Sequence, residues 1–196
     1  MKRKLGCIFM TAGLLCITAA LSLLVYNNNE SKHAKENSAV LMDYIRTEIS
    51  ENVTEAIPVD PFEEEMKIEE IDGYGYIGYL SIPVLDIDLP VMADWDYNRL
   101  KISPCRYYGS TKTDNLVIAA HNYKYHFGYL GQLEVGDEIF FTDMDANLLH
   151  YKVTSVELLL PTDVDKIKEA DDDLILYTCT YGGAKRITVR CSYKDN

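Results

Sequence analysis

Uncharged, mostly apolar positions run without a break from Leu5 to Val25, and Tyr26 followed by Asn27, Asn28, Asn29 and Glu30 closes the run. That length matches the roughly 20 residues a helix needs to cross a bilayer. Beyond it the chain turns polar, with a weak helical period at Val40, Leu41, Tyr44, Ile45 and Ile49 that predicts a stalk helix. Pro58 and Pro61 then force an extended stretch from Ile57 to Phe62, and the acidic residues 63–70 read as a short helix or loop. From Tyr74 onward the period changes to two. Strands are predicted at Tyr76–Ile82, Ile87–Val91, Asn115–Ala120, Glu138–Thr142, Leu148–Glu157, Leu174–Thr178 and Arg186–Ser192. A hairpin turn falls at Asp143–Asn147, and one or two helical turns fall near Val164–Glu169. Seven or eight short strands with little helix predict a mainly β domain, a closed barrel or a sandwich. The chain therefore divides into an anchor (1–26), a stalk (27–72) and a β domain (73–196).

Charge assigns these parts to compartments. Lys2, Arg3 and Lys4 precede the apolar run, which predicts a cytoplasmic N-terminus and a β domain outside the cell. A cleaved signal peptide would carry a shorter apolar region and a small-residue cleavage site, and no A-x-A pattern follows this one. The chain carries a formal charge of -12, and its 31 acidic residues all lie beyond the span. Such a surface repels nucleic acid, which is excluded as a partner.

Five cysteines sit at 7, 16, 105, 179 and 191. The first two lie in the span, where they act as small apolar residues. Three remain in an oxidising compartment, so at least one is unpaired and open to reactive chemistry. Cys105 and Cys191 are equally compatible with a disulfide and with two buried thiols. The spacing matches no structural zinc site.

Three side chains then coincide. The apolar run Asn115–Ala120 ends on His121, the apolar run Leu174–Thr178 ends on Cys179, and Arg186 opens the next strand after a six-residue loop with two glycines. A thiolate nucleophile, an imidazole to move protons and a cation for the oxyanion are the parts of an acyl-transfer site. Nearby cations favour the thiolate form of such a cysteine. Singly, each residue has an ordinary explanation in packing or solubility. Their shared place at strand ends is what points to chemistry.

The residues around them carry a resemblance. Leu176-Tyr177-Thr178-Cys179-Thr180, followed by Lys185-Arg186-Ile187-Thr188-Val189, resembles the Thr-Leu-x-Thr-Cys strand and returning Arg strand of the sortases, with Ile175 in place of the first Thr. Ala119-Ala120-His121-Asn122, with Gly131 to Gly136-Asp137 downstream, is similar to the family's Gly-His segment and the Leu-x-x-Gly-Asp that follows it, with Ala120 in place of Gly. Tyr79 to Pro83 and Leu89 to Val91 match its opening strands, so the likeness runs from about Gly75 to Arg190.

That resemblance implies an eight-stranded sortase-type barrel in which Cys179 is the nucleophile, His121 the acid/base and Arg186 the oxyanion and substrate stabiliser. It implies cleavage of a Leu-Pro-x-Thr-Gly-like sorting signal and transfer to an amine of peptidoglycan precursor or a pilin lysine, at the membrane of a Gram-positive-type cell. No cofactor is required. Calcium bound by some relatives would fall near Asp163, Asp165, Glu169 and Asp171 to Asp173, for which solvated acids are the preferred reading. Asp60-Pro61-Phe62 resembles a class C lid, and His126 and Thr178 are candidate groove residues. His150 is expected to face solvent. A cysteine hydrolase on the same scaffold and a non-catalytic surface β-domain are the alternatives.

Overall fold

The computed structural model describes residues 2–54 and 65–194. A single helix, α1 (Lys2–Thr54), runs through the predicted anchor and most of the predicted stalk. The stalk helix continues the span without a break, because no glycine or proline interrupts the chain between Gly13 and Pro58. At 1.5 Å per residue its 53 residues extend about 80 Å. Its two halves differ. The first is long and apolar enough to cross a membrane, and among its described residues none of that apolar stretch is buried by protein. In the second, Leu41, Ile45 and Ile49 recur every fourth residue and are buried against the β domain, whereas Val40 and Tyr44 face outward.

The β domain contains β1 (Glu69–Ile71), β2 (Tyr74–Ile82), β3 (Ile87–Met92), β4 (Cys105–Tyr108), β5 (Leu116–Ala119), β6 (Glu138–Asp143), β7 (Leu148–Leu159), β8 (Leu174–Cys179) and β9 (Arg186–Tyr193), with a short helix α2 (Asp165–Lys168) between β7 and β8. Eight of them follow the order β2-β3-β4-β5-β8-β9-β7-β6, and a β2–β6 pairing closes the expected barrel. The three-residue β1 adds onto the start of β2, where the acidic stretch had read as helix or loop. β4 was also hidden from the pattern, since a register shift between Arg106 and Tyr108 breaks its alternation. Closure depends on Gly78, whose φ is +139° and whose missing Cβ would stand 2.0 Å from the Thr142 carbonyl oxygen.

Three apolar layers result. Ile77, Leu80, Ile118, Phe141, Leu176 and Val189 fill the barrel. Leu41, Ile45 and Ile49 of α1 pack outside it on Ile71, Tyr76, Met92 and Cys105. Val117 and Ile175 pack outside it on Leu159 and Ile167, beneath the β7–β8 connection. β5 and β8 are thus covered on both faces, which is why each reads as a continuous apolar run. Cys105 and Cys191 lie in different layers as free, buried thiols, so they form no disulfide.

Candidate active site

Most neighbouring strands are antiparallel, but β5 and β8 run parallel with Ala119 opposite Tyr177. Two residues further on, both chains leave the sheet at the same edge, so His121 comes level with Cys179. Strand spacing sets their backbones about 4.8 Å apart. Thr178, 2% exposed, secures this edge by donating its hydroxyl to the Ala120 carbonyl at 2.8 Å. On the other side of β8, Cys179 is opposite Arg186 of β9.

The connecting loop sets that second spacing. Thr180 N–H donates to the Lys185 carbonyl at 2.9 Å, and Gly183 N–H donates to the Thr180 carbonyl at 2.8 Å. Lys185 N–H donates to Thr180 Oγ1 at 3.0 Å, which cinches the loop from within. Gly182 and Gly183 turn the chain with φ of 82° and 74°. A hydrogen bond at Thr180–Lys185 makes Cys179–Arg186 the narrow, non-hydrogen-bonded pair, with Cα atoms about 4.5 Å apart. Arg186 Nη1 donates to the Gly183 carbonyl at 3.1 Å, which holds the guanidinium beside the loop. His121, Cys179 and Arg186 therefore stand in one row across three adjacent strands, with the cysteine in the middle.

A cleft of about 200 Å³ leads to this row. Ala119 and Tyr177 form its floor. Trp95, Tyr97 and Leu100 of the β3–β4 connection form one wall, and Leu160, Pro161 and Val164 of the β7–β8 connection form the other. Trp95 meets Tyr107 edge-on at 5.5 Å, and Tyr107 meets Tyr177 edge-on at 5.4 Å, so the walls and floor brace one another. Such a cleft suits an extended peptide with apolar side chains.

Residues 80–194 match the sortase domain family model. The chain belongs to the sortase family. Solved structures with the same fold include Streptococcus pneumoniae Sortase C (22% identity, 80% of this chain and 97% of that one, TM-score 0.60). Clostridium perfringens Sortase D5 matches at 18% identity over 82% of this chain and 99% of that one, with TM-score 0.63. Corynebacterium diphtheriae Sortase A matches at 21% identity over 91% and 96%, with TM-score 0.56. A comparison with curated proteins found no match. The sortase fold is thus shared with structures named A, C and D alike.

The electrostatics of this sortase's site follow from burial. His121 stacks on Tyr123 at 4.8 Å, and its Nε2 is buried without a hydrogen-bond partner. Burial, then the Lys101 charge, holds its pKa below the usual histidine value, against a smaller opposing effect of Glu30. Burial and the Lys101 charge thus favour the neutral ring. His126, expected at the groove, is instead buried behind Tyr123 and does not line the cleft. Neither of its ring nitrogens has a partner, and burial followed by the His121 charge pushes its pKa down to about 4. The expectation for His150 is corrected as well. It is half-buried against Phe140, with ring centroids 4.4 Å apart, and lies 3.3 Å from Glu138.

The remaining candidates sort by position. Arg190 shares a face with Arg186 but is held by Glu157, Asp172 and the Lys166 carbonyl, so it anchors the β7–β8 wall. Among the described residues no three of His, Cys, Asp and Glu converge to hold a metal ion. Of the acids named for calcium, Asp163 accepts from Leu160 N–H, Asp172 pairs with Arg190, and Asp173 accepts from Tyr193 N–H. Asp60 and Phe62, the lid candidates, lie outside the described residues. The sequence reading overlooked the cleft walls. Trp95 and Tyr97 were their available signal, two aromatics in a polar stretch with no strand to belong to.

Proposed function

We propose that this sortase is a membrane-anchored cysteine transpeptidase that cleaves a Leu-Pro-x-Thr-Gly-like sorting signal and transfers the protein to an amine. The observation that carries the proposal is the single row of His121, Cys179 and Arg186 at the end of an apolar cleft, in a chain of this family. The extended signal lies in the cleft with its Leu and Pro against the aromatic wall and its Thr carbonyl at Cys179. The thiol passes its proton to the neutral His121 imidazole as Sγ bonds to the carbonyl carbon. Arg186 donates to the resulting oxyanion. Collapse of the tetrahedral centre breaks the Thr–Gly bond, and His121 returns the proton to the departing glycine amine. An acceptor amine, from peptidoglycan precursor or a pilin lysine, then attacks the thioester and regenerates Cys179. The chemistry needs no metal or organic cofactor. Lys2, Arg3 and Lys4 keep the N-terminus in the cytoplasm, and the barrel works outside.

The test incubates the full-length chain in lipid nanodiscs with a Leu-Pro-x-Thr-Gly peptide and an amine, following both products by mass spectrometry. Amide product with wild type and none with Cys179→Ala supports the proposal. Acid product alone, at saturating amine, makes the chain a hydrolase. Full activity in Cys179→Ala, or cleavage of no peptide in a sorting-motif panel, overturns the reading.

A further inference from the structure

A second cleft, of about 460 Å³, lies between α1 and the rim that carries the catalytic row. Leu24, Asn28 and Ser31 of α1 face Tyr123 and Lys124 of the His121 loop and Tyr181 of the β8–β9 loop across it. The α1 residues fix its depth. The apolar run ends at Val25, and the six residues from there to Ser31 rise about 9 Å. A headgroup layer is about 5–8 Å thick on each side of the bilayer. The rim therefore sits beside the part of the helix that emerges from the membrane. Glu30 is close enough to His121 and Tyr123 to act on both electrostatically, which places the catalytic loop at that level too.

The side chains presented there suit a lipid surface. Tyr181 is 89% exposed at the tip of its loop, with Lys185 exposed four residues on and Lys124 exposed on the neighbouring loop. Tyrosine is favoured at the bilayer interface, where its ring is sheltered and its hydroxyl stays wet. Lysines there can pair with lipid phosphate. A chain with a net charge of -12 is otherwise repelled by anionic headgroups, and a rim that presents lysines and a tyrosine is a face able to approach them. The polar inner wall includes Ser31, which is 5% exposed and whose hydroxyl has no partner within the protein.

We propose that the catalytic rim rests on the headgroups of the bilayer that α1 spans, with Tyr181 in the interfacial layer and Lys124 on lipid phosphate. Cys179 then meets substrates at the membrane surface rather than in bulk solvent. The proposal rests on α1 as the anchor and goes beyond the reaction assigned above.

The experiment uses the full-length chain in nanodiscs of mixed phosphatidylcholine and phosphatidylglycerol, with Trp95→Phe removing the native tryptophan. Single probes are Tyr181→Trp, Leu148→Trp and Leu15→Trp, read against lipids with a nitroxide on the headgroup or deep in the acyl chain. Leu148 opens β7, whose other end is opposite Arg186, so it stands up to about 37 Å along the strand from the rim. Headgroup nitroxide should quench Tyr181→Trp at least twofold and leave Leu148→Trp unchanged, while the deep nitroxide quenches Leu15→Trp. Equal quenching at 181 and 148, with Leu15→Trp quenched, overturns the docking and leaves the anchor standing. An unquenched Leu15→Trp removes the anchor and the docking together. Peptide cleavage by the wild-type chain, with Trp95 intact, on discs of the same lipids reads the proposed reaction independently.

Discussion

Lowering the pH from 7.5 to 4.5 should destabilise the barrel through one buried ring, His126. Its folded pKa is about 4, whereas an unfolded histidine titrates near 6.5. The unfolded chain therefore binds the proton first. The stabilisation is fully present above pH 6.5 and is lost as the pH falls from there toward 4. A gap of about 2.5 units corresponds to about 3.4 kcal/mol in total, of which about 2.5 kcal/mol is gone by pH 4.5. The side chain is 1% exposed with both nitrogens unpartnered, so solvent screening does little to reduce this figure. Asp96, Glu138 and Asp163 also titrate below their usual values, so their contributions are lost at still lower pH. His121 titrates in the same direction as His126, and its effect is common to any pair of variants that keep it. The assay is urea unfolding of the full-length chain in nanodiscs, followed by emission of Trp95, the chain's single tryptophan. Wild type should lose about 1 M more in midpoint between pH 7.5 and 4.5 than His126→Phe, which keeps a ring against Tyr123 and removes the nitrogens. Equal losses in the two proteins would refute the assignment.

Three further outcomes follow from the site. Thr178→Val removes the hydroxyl that serves the Ala120 carbonyl in a buried position, so it should cost about 1–3 kcal/mol and lower kcat by shifting His121. Both effects are read by urea midpoint and peptide cleavage, and unchanged values for both would show that this bond does not set the spacing. Arg190→Gln releases Glu157 and Asp172 from their shared cation, and should cost about 1–3 kcal/mol and raise KM more than kcat falls, because the β7–β8 wall loosens. Arg186→Lys keeps the charge but loses the planar fork, so kcat should fall about 100-fold or more, with the unfolding midpoint nearly unchanged. A variant with wild-type kcat would remove Arg186 from the reaction.

Much of the fold was legible because it depends on local alternation. Seven strands announced themselves through a period of two or through unbroken apolar runs, and their observed limits differ by few residues. β4 escaped because a bulge disrupts its four residues, and β1 because its residues Glu69 and Glu70 carry charge. The anchor was readable from length and flanking charge, but its extension to Thr54 was not. The apolar signal ends at Val25, and what sustains the helix afterwards is packing of Leu41, Ile45 and Ile49 on the barrel.

The sequence by itself determined which side chains end the strands. His121, Cys179 and Arg186 each follow from where an apolar run stops or starts. What placed them in one row was tertiary. His121 and Cys179 are 58 residues apart, and they become neighbours through the parallel pairing of β5 with β8. That pairing needs a long crossover whose closure no local pattern encodes. The cleft walls, the burial of His126 and the nearness of α1 to the rim that carries His121 and Cys179 are of the same kind. Each depends on contacts between segments distant in the chain, and a side chain's surroundings are settled only when those segments meet.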